Sequence, residues 1–170
     1  FEGIYAAFRD MLVERTRQLK VGPDDEDDLG PVINEMQLDT MLAAVARARD
    51  EGAAVLVGGA RLTDVAHRDG FYMTPTLIEN VSPQAEISRC ELFGPIACLY
   101  RVKDFDEAIA LANDSPFGLT ASIHTQNLNR AMAFIGRIQS GGAVVNGGTY
   151  GSEPHMPFGG LRQSGNGWRE

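Results

Sequence analysis

The chain has 170 residues, 44% hydrophobic and 22% charged, the proportions of an ordinary soluble globular protein able to bury a sizeable core. Its formal charge is −8, from 15 Lys and Arg against 23 Asp and Glu, and five consecutive acids at 24–28 supply most of it, leaving about −3 elsewhere. That balance provides no basic face for a phosphate backbone, and no apolar run approaches the roughly 20 residues that span a bilayer, so neither nucleic acid nor membrane is an expected partner.

In chain order, Ile4, Phe8, Leu12 and Leu19, with Tyr5 and Met11 beside them, follow the helical period and predict a helix over 4–19 that stops at Gly22-Pro23. No secretory signal is expected from this opening, where Phe1-Glu2-Gly3 leads directly into the helical pattern. The acidic run lacks the glycine-turn spacing of a calcium loop and reads as a solvated loop ending at Gly30-Pro31. A second helix is expected over 34–51, with Met41, Leu42, Val45 and Ala48 on one face and Gly52 beyond its end. A short buried strand follows at 53–57. Residues 71–78 look extended, and Pro75 marks them as an edge or irregular strand; 79–89 reads as loop.

The second half alternates more regularly. Strands are expected at 96–102, 119–124 and 143–146. Between them lie a helix capped by Asp104, with Glu107 completing a capping box, and a helix capped by Asn127 or Asn129, with Ala131, Phe134, Ile135 and Ile138 on its apolar face. Strand, helix, strand, helix, strand at these lengths implies right-handed crossovers and a largely parallel sheet, with ligands at the carboxyl ends of the strands near Glu91, His124 and Asn146. Both ends of the chain read as cut, so a part of a larger protein is expected.

Candidate chemistry concentrates in two stretches. Glu91-Leu92-Phe93-Gly94-Pro95 offers a carboxylate able to accept two ribose hydroxyls beside an aromatic able to pack on a flat ring; the competing reading is a turn carrying one core phenylalanine. The stretch 154–170 carries Gly159, Gly160, Gly165 and Gly167, which permit close backbone approach, and His155 just before Pro157-Phe158-Gly159-Gly160. It either wraps a ligand or is a plain surface loop. Cys90 and Cys98 have neither CxxC spacing nor a His partner, so no disulfide scaffold, zinc site or other metal site is expected, and a reducing, cytoplasmic compartment is the default. No G-x-S-x-G elbow, P-loop or G-x-G-x-x-G is present, so the residues alone give no complete catalytic set.

Several motifs together resemble the C-terminal part of the catalytic domain of the NAD(P)-dependent aldehyde dehydrogenase superfamily: Leu29-Gly30-Pro31-Val32-Ile33 with Gln37, Glu91-Leu92-Phe93-Gly94-Pro95, Pro116-Phe117-Gly118-Leu119-Thr120-Ala121, Val145-Asn146, Pro157-Phe158-Gly159-Gly160, and Ser164-Gly165 leading to Arg169-Glu170. The resemblance implies that 1–170 is a partial catalytic domain with a three-layer α/β/α fold and a largely parallel sheet. It implies an NAD or NADP cofactor, an aldehyde substrate oxidised through a cysteine thiohemiacetal, and a homo-oligomer in the full-length protein. It places the nucleophilic cysteine, its general base and the oxyanion asparagine upstream of Phe1, leaving this chain catalytically incomplete. Carried over by position, Glu91 accepts from the nicotinamide ribose, Phe93 packs beside the nicotinamide, and Gln37 approaches the cofactor ribose. Phe158 lines the aldehyde pocket, His155 lies in the loop that shapes substrate choice, and Glu170 relays protons near the hydrolytic water. The chain departs from the pattern at Cys90, where many members carry an acid, at Thr40, often a lysine, and at Trp168, which adds one residue before Arg169-Glu170. A non-catalytic structural or assembly fragment, or a relative with acyl-CoA or semialdehyde chemistry, are the alternative readings.

Overall fold

The computed structural model describes residues 1–150 and 155–165, which fall into two compact units, Phe1–Arg101 and Val102–Glu170. The first unit contains α1 (Glu2–Arg17), α2 (Glu35–Asp50), β1 (Ala54–Val57), β2 (Thr76–Glu79), a one-turn α3 (Glu86–Arg89) and β3 (Ile96–Leu99). Its sheet has the order β1-β2-β3, with β1 antiparallel and β3 parallel to the central β2. The second unit contains α4 (Phe105–Asn113), β4 (Phe117–Gly118), β5 (Thr120–Ile123), α5 (Leu128–Arg137), β6 (Gly142–Val145) and β7 (Leu161–Arg162). Here β5 and β6 pair in parallel through α5, and β4 and β7 pair antiparallel. The chain is therefore α/β, with both strand orientations present. Among the described residues no helix is long and apolar enough to cross a membrane.

The first core forms where α2 meets β2. Leu38, Met41, Ala44, Val45 and Ala48 recur on one face of α2 and are buried against Met73 and Ile78. The side-chain oxygen of Asn34 accepts from the Gln37 amide at 2.8 Å and starts the helix. All four residues of β2 are buried, so this strand is central, although Pro75 suggests an edge. The difference has a simple cause. Pro75 stands just before the first paired residue and removes no donor from the ladder, while the Thr76 amide already donates to the Pro95 carbonyl at 2.8 Å.

Other expectations shift in detail. The buried residues of α1 are Tyr5 and Thr16, whereas Ile4, Phe8 and Leu19 of the expected stripe are exposed. Tyr5 turns inward because its hydroxyl donates to the carboxylate of buried Glu79 at 2.8 Å. Asp104 caps α4 by accepting from the Glu107 amide at 2.9 Å, and the Glu107 carboxylate returns to the Lys103 amide at 2.7 Å, one residue earlier than a standard box. Asn127, rather than Asn129, caps α5. On α5, Ala131 and Phe134 are buried and Ile135 is exposed. Residues 86–89, expected in loop, form α3, and β4 and β7 are strands within stretches where none is expected.

The acidic run is tied back on itself. Asp28 accepts from the Lys20 amide at 2.8 Å, Asp27 from the Asp24 amide at 3.0 Å, and Gly22 donates to the Leu29 carbonyl at 3.0 Å. Among the described residues no group of His, Cys, Asp and Glu side chains is arranged to hold a metal ion. The loop is pinned by half-buried His67, whose Nδ1 lies 2.6 Å from an Asp64 carboxylate oxygen and whose Nε2 lies 2.8 Å from the Val21 carbonyl. Both partners only accept, so both ring nitrogens must carry hydrogen, and the imidazolium alone satisfies them together. The Val21 carbonyl first, and then Asp64, raise the His67 pKa above its ordinary 6.5. A raised folded-state value means that this stabilisation is complete below the unfolded pKa and is lost as pH rises through the folded one. Denaturation measured across this interval is expected to show wild-type stability falling with pH relative to His67→Asn; parallel pH profiles for the two proteins would refute the clamp.

Candidate functional site

The turn following α3 brings the first set of residues together. Cys90 ends that helix, and Glu91, Leu92, Phe93 and Gly94 then line an open cavity of about 390 Å³ closed behind by Cys98 and Tyr100. Glu91 is exposed, and Phe93 is 76% exposed, which rules out the reading of Phe93 as a core residue. Phe93 also has φ of 48°, a left-handed conformation unfavourable for an aromatic residue that persists only where neighbours enforce it. Those neighbours are visible. Gln37, on the first turn of α2, donates from its side-chain amide to the Leu92 carbonyl at 2.6 Å. Met41, one turn further on, packs so closely on Gly94 that a Cβ there would lie 1.9 Å from its sulfur. After Phe93, the Ile96 amide donates to the Gly94 carbonyl at 2.8 Å. A two-pronged Arg47–Glu86 pair, at 2.7 and 2.8 Å, ties α2 to α3 on the surface.

Two thiols lie in this region. Cys98 lies in β3, and burial pushes its thiol up, away from the thiolate. Cys90 is exposed at the end of a one-turn helix.

The second set belongs to the second unit. His155, Met156 and Phe158 are all exposed, on a segment whose backbone is tightly held at Gly159 and Gly160. A Cβ on Gly141 would lie 1.6 Å from the Gly159 carbonyl oxygen, one on Gly160 would lie 2.3 Å from the Ser164 carbonyl, and one on Gly165 would lie 2.3 Å from the Gly160 carbonyl. The Ser164 hydroxyl accepts from the Gly118 amide at 3.1 Å, and the Gln163 amide donates to Pro116 at 3.1 Å. The close backbone approach read from the glycines is thus present. Glu170 and residues 151–154 lie outside the described residues, and the expected role of Glu170 goes with them.

Three supporting residues carry roles that the sequence reading does not assign. Asn146 leaves β6 with φ of 55°, and its side chain bonds both the amide and the carbonyl of Thr125, at 2.8 and 2.9 Å, fixing the loop after β5. An Asn directly after a strand and before Gly147-Gly148 is the signal for such a left-handed residue. Arg162, with φ of 54°, donates to the Asn113 carbonyl at 2.6 Å, the Ser115 carbonyl and the Gln139 side chain. It thereby ties β7 to the end of α4. Gly141, expected only to end a helix, is where the wall segment rests. His124 is exposed after β5.

Solved structures share this fold. Betaine aldehyde dehydrogenase from Staphylococcus aureus, in complex with NAD+, superposes with a TM-score of 0.93 at 30% identity, over 98% of this chain and 33% of that one. Aldehyde dehydrogenase 21 from Physcomitrella patens, in complex with succinate, gives 0.88 at 31% identity, over 96% and 33%. The fold thus defines the class, an α/β chain of the aldehyde dehydrogenase type. The aldehyde dehydrogenase family model matches residues 1–170, and the chain belongs to that family. Relatives include the alpha-ketoglutaric semialdehyde dehydrogenase of Bacillus subtilis, 37% identical over 99% of this chain, and a benzaldehyde dehydrogenase of the same organism, 40% identical over 95%. The chain spans 35% and 32% of their lengths.

Gly141→Ala is expected to destabilise the protein by about 1–3 kcal/mol, because two backbones must separate to admit one methyl. Gly136→Ala, on α5 with open space around it, is expected to stabilise by about 0.5–1 kcal/mol through helix propensity. Thermal melts of the two variants should move in opposite directions, and a neutral Gly141→Ala would contradict the packed wall.

Proposed function

We propose that the full-length protein oxidises an aldehyde to its carboxylic acid with NAD or NADP, and that residues 1–170 provide the ribose-facing turn and part of the substrate wall. The observation that carries this reading is the 91–94 turn. An exposed carboxylate and an exposed aromatic project from one strained turn on an open cavity, in a chain matched along its whole length by the aldehyde dehydrogenase family. A ribose requires an acceptor for two hydroxyls and a nicotinamide requires a flat apolar neighbour; Glu91 and Phe93 have the chemistry for each.

In this reading the Glu91 carboxylate orients the ribose, the Phe93 ring flanks the nicotinamide, and the amide of Gln37 lies behind both. When bound, the cofactor provides the hydride acceptor. His155 and Phe158 face the aldehyde, and Glu170 relays protons in the hydrolytic half. In this reading the nucleophilic thiolate comes from outside residues 1–170; burial holds Cys98 as a thiol. A semialdehyde is a second reading of the substrate, favoured by the two α-ketoglutarate-type semialdehyde relatives, from Bacillus subtilis and Haloferax volcanii. It predicts that the full-length enzyme has a higher kcat/KM for an ω-carboxylated aldehyde than for benzaldehyde, and the reverse order would discard it.

Glu91→Gln replaces one acceptor oxygen by a donor. It is expected to weaken cofactor binding by about tenfold or more, measured as the Kd of NAD+ or NADP+ in the full-length protein, with little change in melting temperature because Glu91 is exposed. Unchanged cofactor affinity would remove Glu91 from the site.

A further inference from the structure

We infer that Gln37 is a positioning residue for the cofactor turn, acting through the Leu92 carbonyl that it holds; the inference rests on the role proposed for Glu91 and Phe93. Leu92 lies between those two residues, and its carbonyl belongs to the same rigid peptide plane as the Phe93 amide. Holding that plane fixes one side of the rotation that sets φ at Phe93. Beyond Phe93 the chain is held at the next residues: Met41 packs against Gly94, the Gly94 carbonyl accepts from the Ile96 amide at 2.8 Å, and the Pro95 carbonyl accepts from the Thr76 amide at 2.8 Å. The peptide plane that enters Phe93 is thus clamped directly, by the 2.6 Å bond from the Gln37 side-chain amide, and the chain that leaves it is held from Gly94 onward.

The base of that clamp is rigid. Gln37 stands on the first turn of α2, where its own backbone amide is bound by Asn34, and its neighbours Leu38 and Met41 are fully buried. A glutamine gives the length and the neutral donor that a carbonyl requires, whereas a glutamate would set a carboxylate against the Leu92 oxygen. Loss of the donor releases the peptide plane, lets Phe93 relax towards its preferred φ, and redirects Glu91 with it.

The test uses the full-length enzyme with Gln37→Met, which keeps length and packing but removes the donor, alongside Glu91→Gln and the double variant. If Gln37→Met does not fold, Gln37→Asn, whose amide is one methylene too short to reach, takes its place. The Kd of NAD+ and the KM of cofactor and aldehyde are measured for each. The expected result is a three- to tenfold loss of cofactor affinity, about the effect of one hydrogen bond, with the aldehyde KM unchanged. The double variant should lose less than the product of the two single losses, because both act on one turn. Unchanged affinity in the Gln37 variant while Glu91→Gln loses affinity would overturn the positioning role and leave the Glu91 reading intact. Multiplicative losses, or a rise of both KM values together with a fall in melting temperature, would also overturn it. Unchanged affinity in Glu91→Gln strikes instead at the function proposed for the turn.

Discussion

The packing of α2 on the central strand β2 is the constraint from which the first unit takes its geometry. Leu38, Met41 and Val45 are almost completely removed from water, and each such side chain contributes about 1.5–3 kcal/mol relative to exposure. With three residues on one face engaged, the helix cannot rotate about its axis without opening voids. Its first turn, capped by Asn34, is therefore placed with the precision of the core, and the 91–94 turn is built against it. Even the polar members of β2 are integrated. The Thr76 hydroxyl accepts from Gly59 at 2.8 Å and donates to Thr74 at 2.7 Å, and Glu79 takes the Tyr5 hydroxyl.

Backbone strain follows a pattern across both units. Among the described residues four that are not glycine have positive φ: Asn80, Phe93, Asn146 and Arg162. Three of them adjoin loops with a functional reading, and each of those three has its conformation enforced by specific hydrogen bonds or close packing nearby. Asparagine tolerates this region; phenylalanine and arginine do so only where the surroundings compel it. Short parallel strands with held, irregular backbone at their ends form a scaffold on which precise loops can be mounted.

Much of this was legible in the residues. Capping by Asp104 and Asn127 follows from local chemistry, and so do the helices behind them, because a short polar side chain before an apolar-periodic stretch has few other uses. The 91–95 and 157–160 motifs were legible as candidate sites through the resemblance. What was not legible depended on contacts distant in the chain. The inward turn of Tyr5 is dictated by Glu79, 74 residues away, and overrides the apolar stripe of α1. The bond from Gln37 to Leu92 spans 55 residues, and no local pattern announces it. Pro75 misleads because its rule concerns the donors of paired residues, and pairing cannot be seen until partners are known.

The contact of Gly141 with Gly159 separates two properties that most binding loops combine. The course of the chain through 159–165 is set by main chain resting on main chain and by the side chains of Arg162 and Ser164, and none of these contacts involves the side chains at 155–158, which remain exposed. Natural drift or a combinatorial library could therefore exchange His155, Met156 and Phe158 for residues of other size and polarity while the spine beneath them stays in place. If the proposed function holds, diversification of aldehyde preference would then be a matter of repainting a fixed wall.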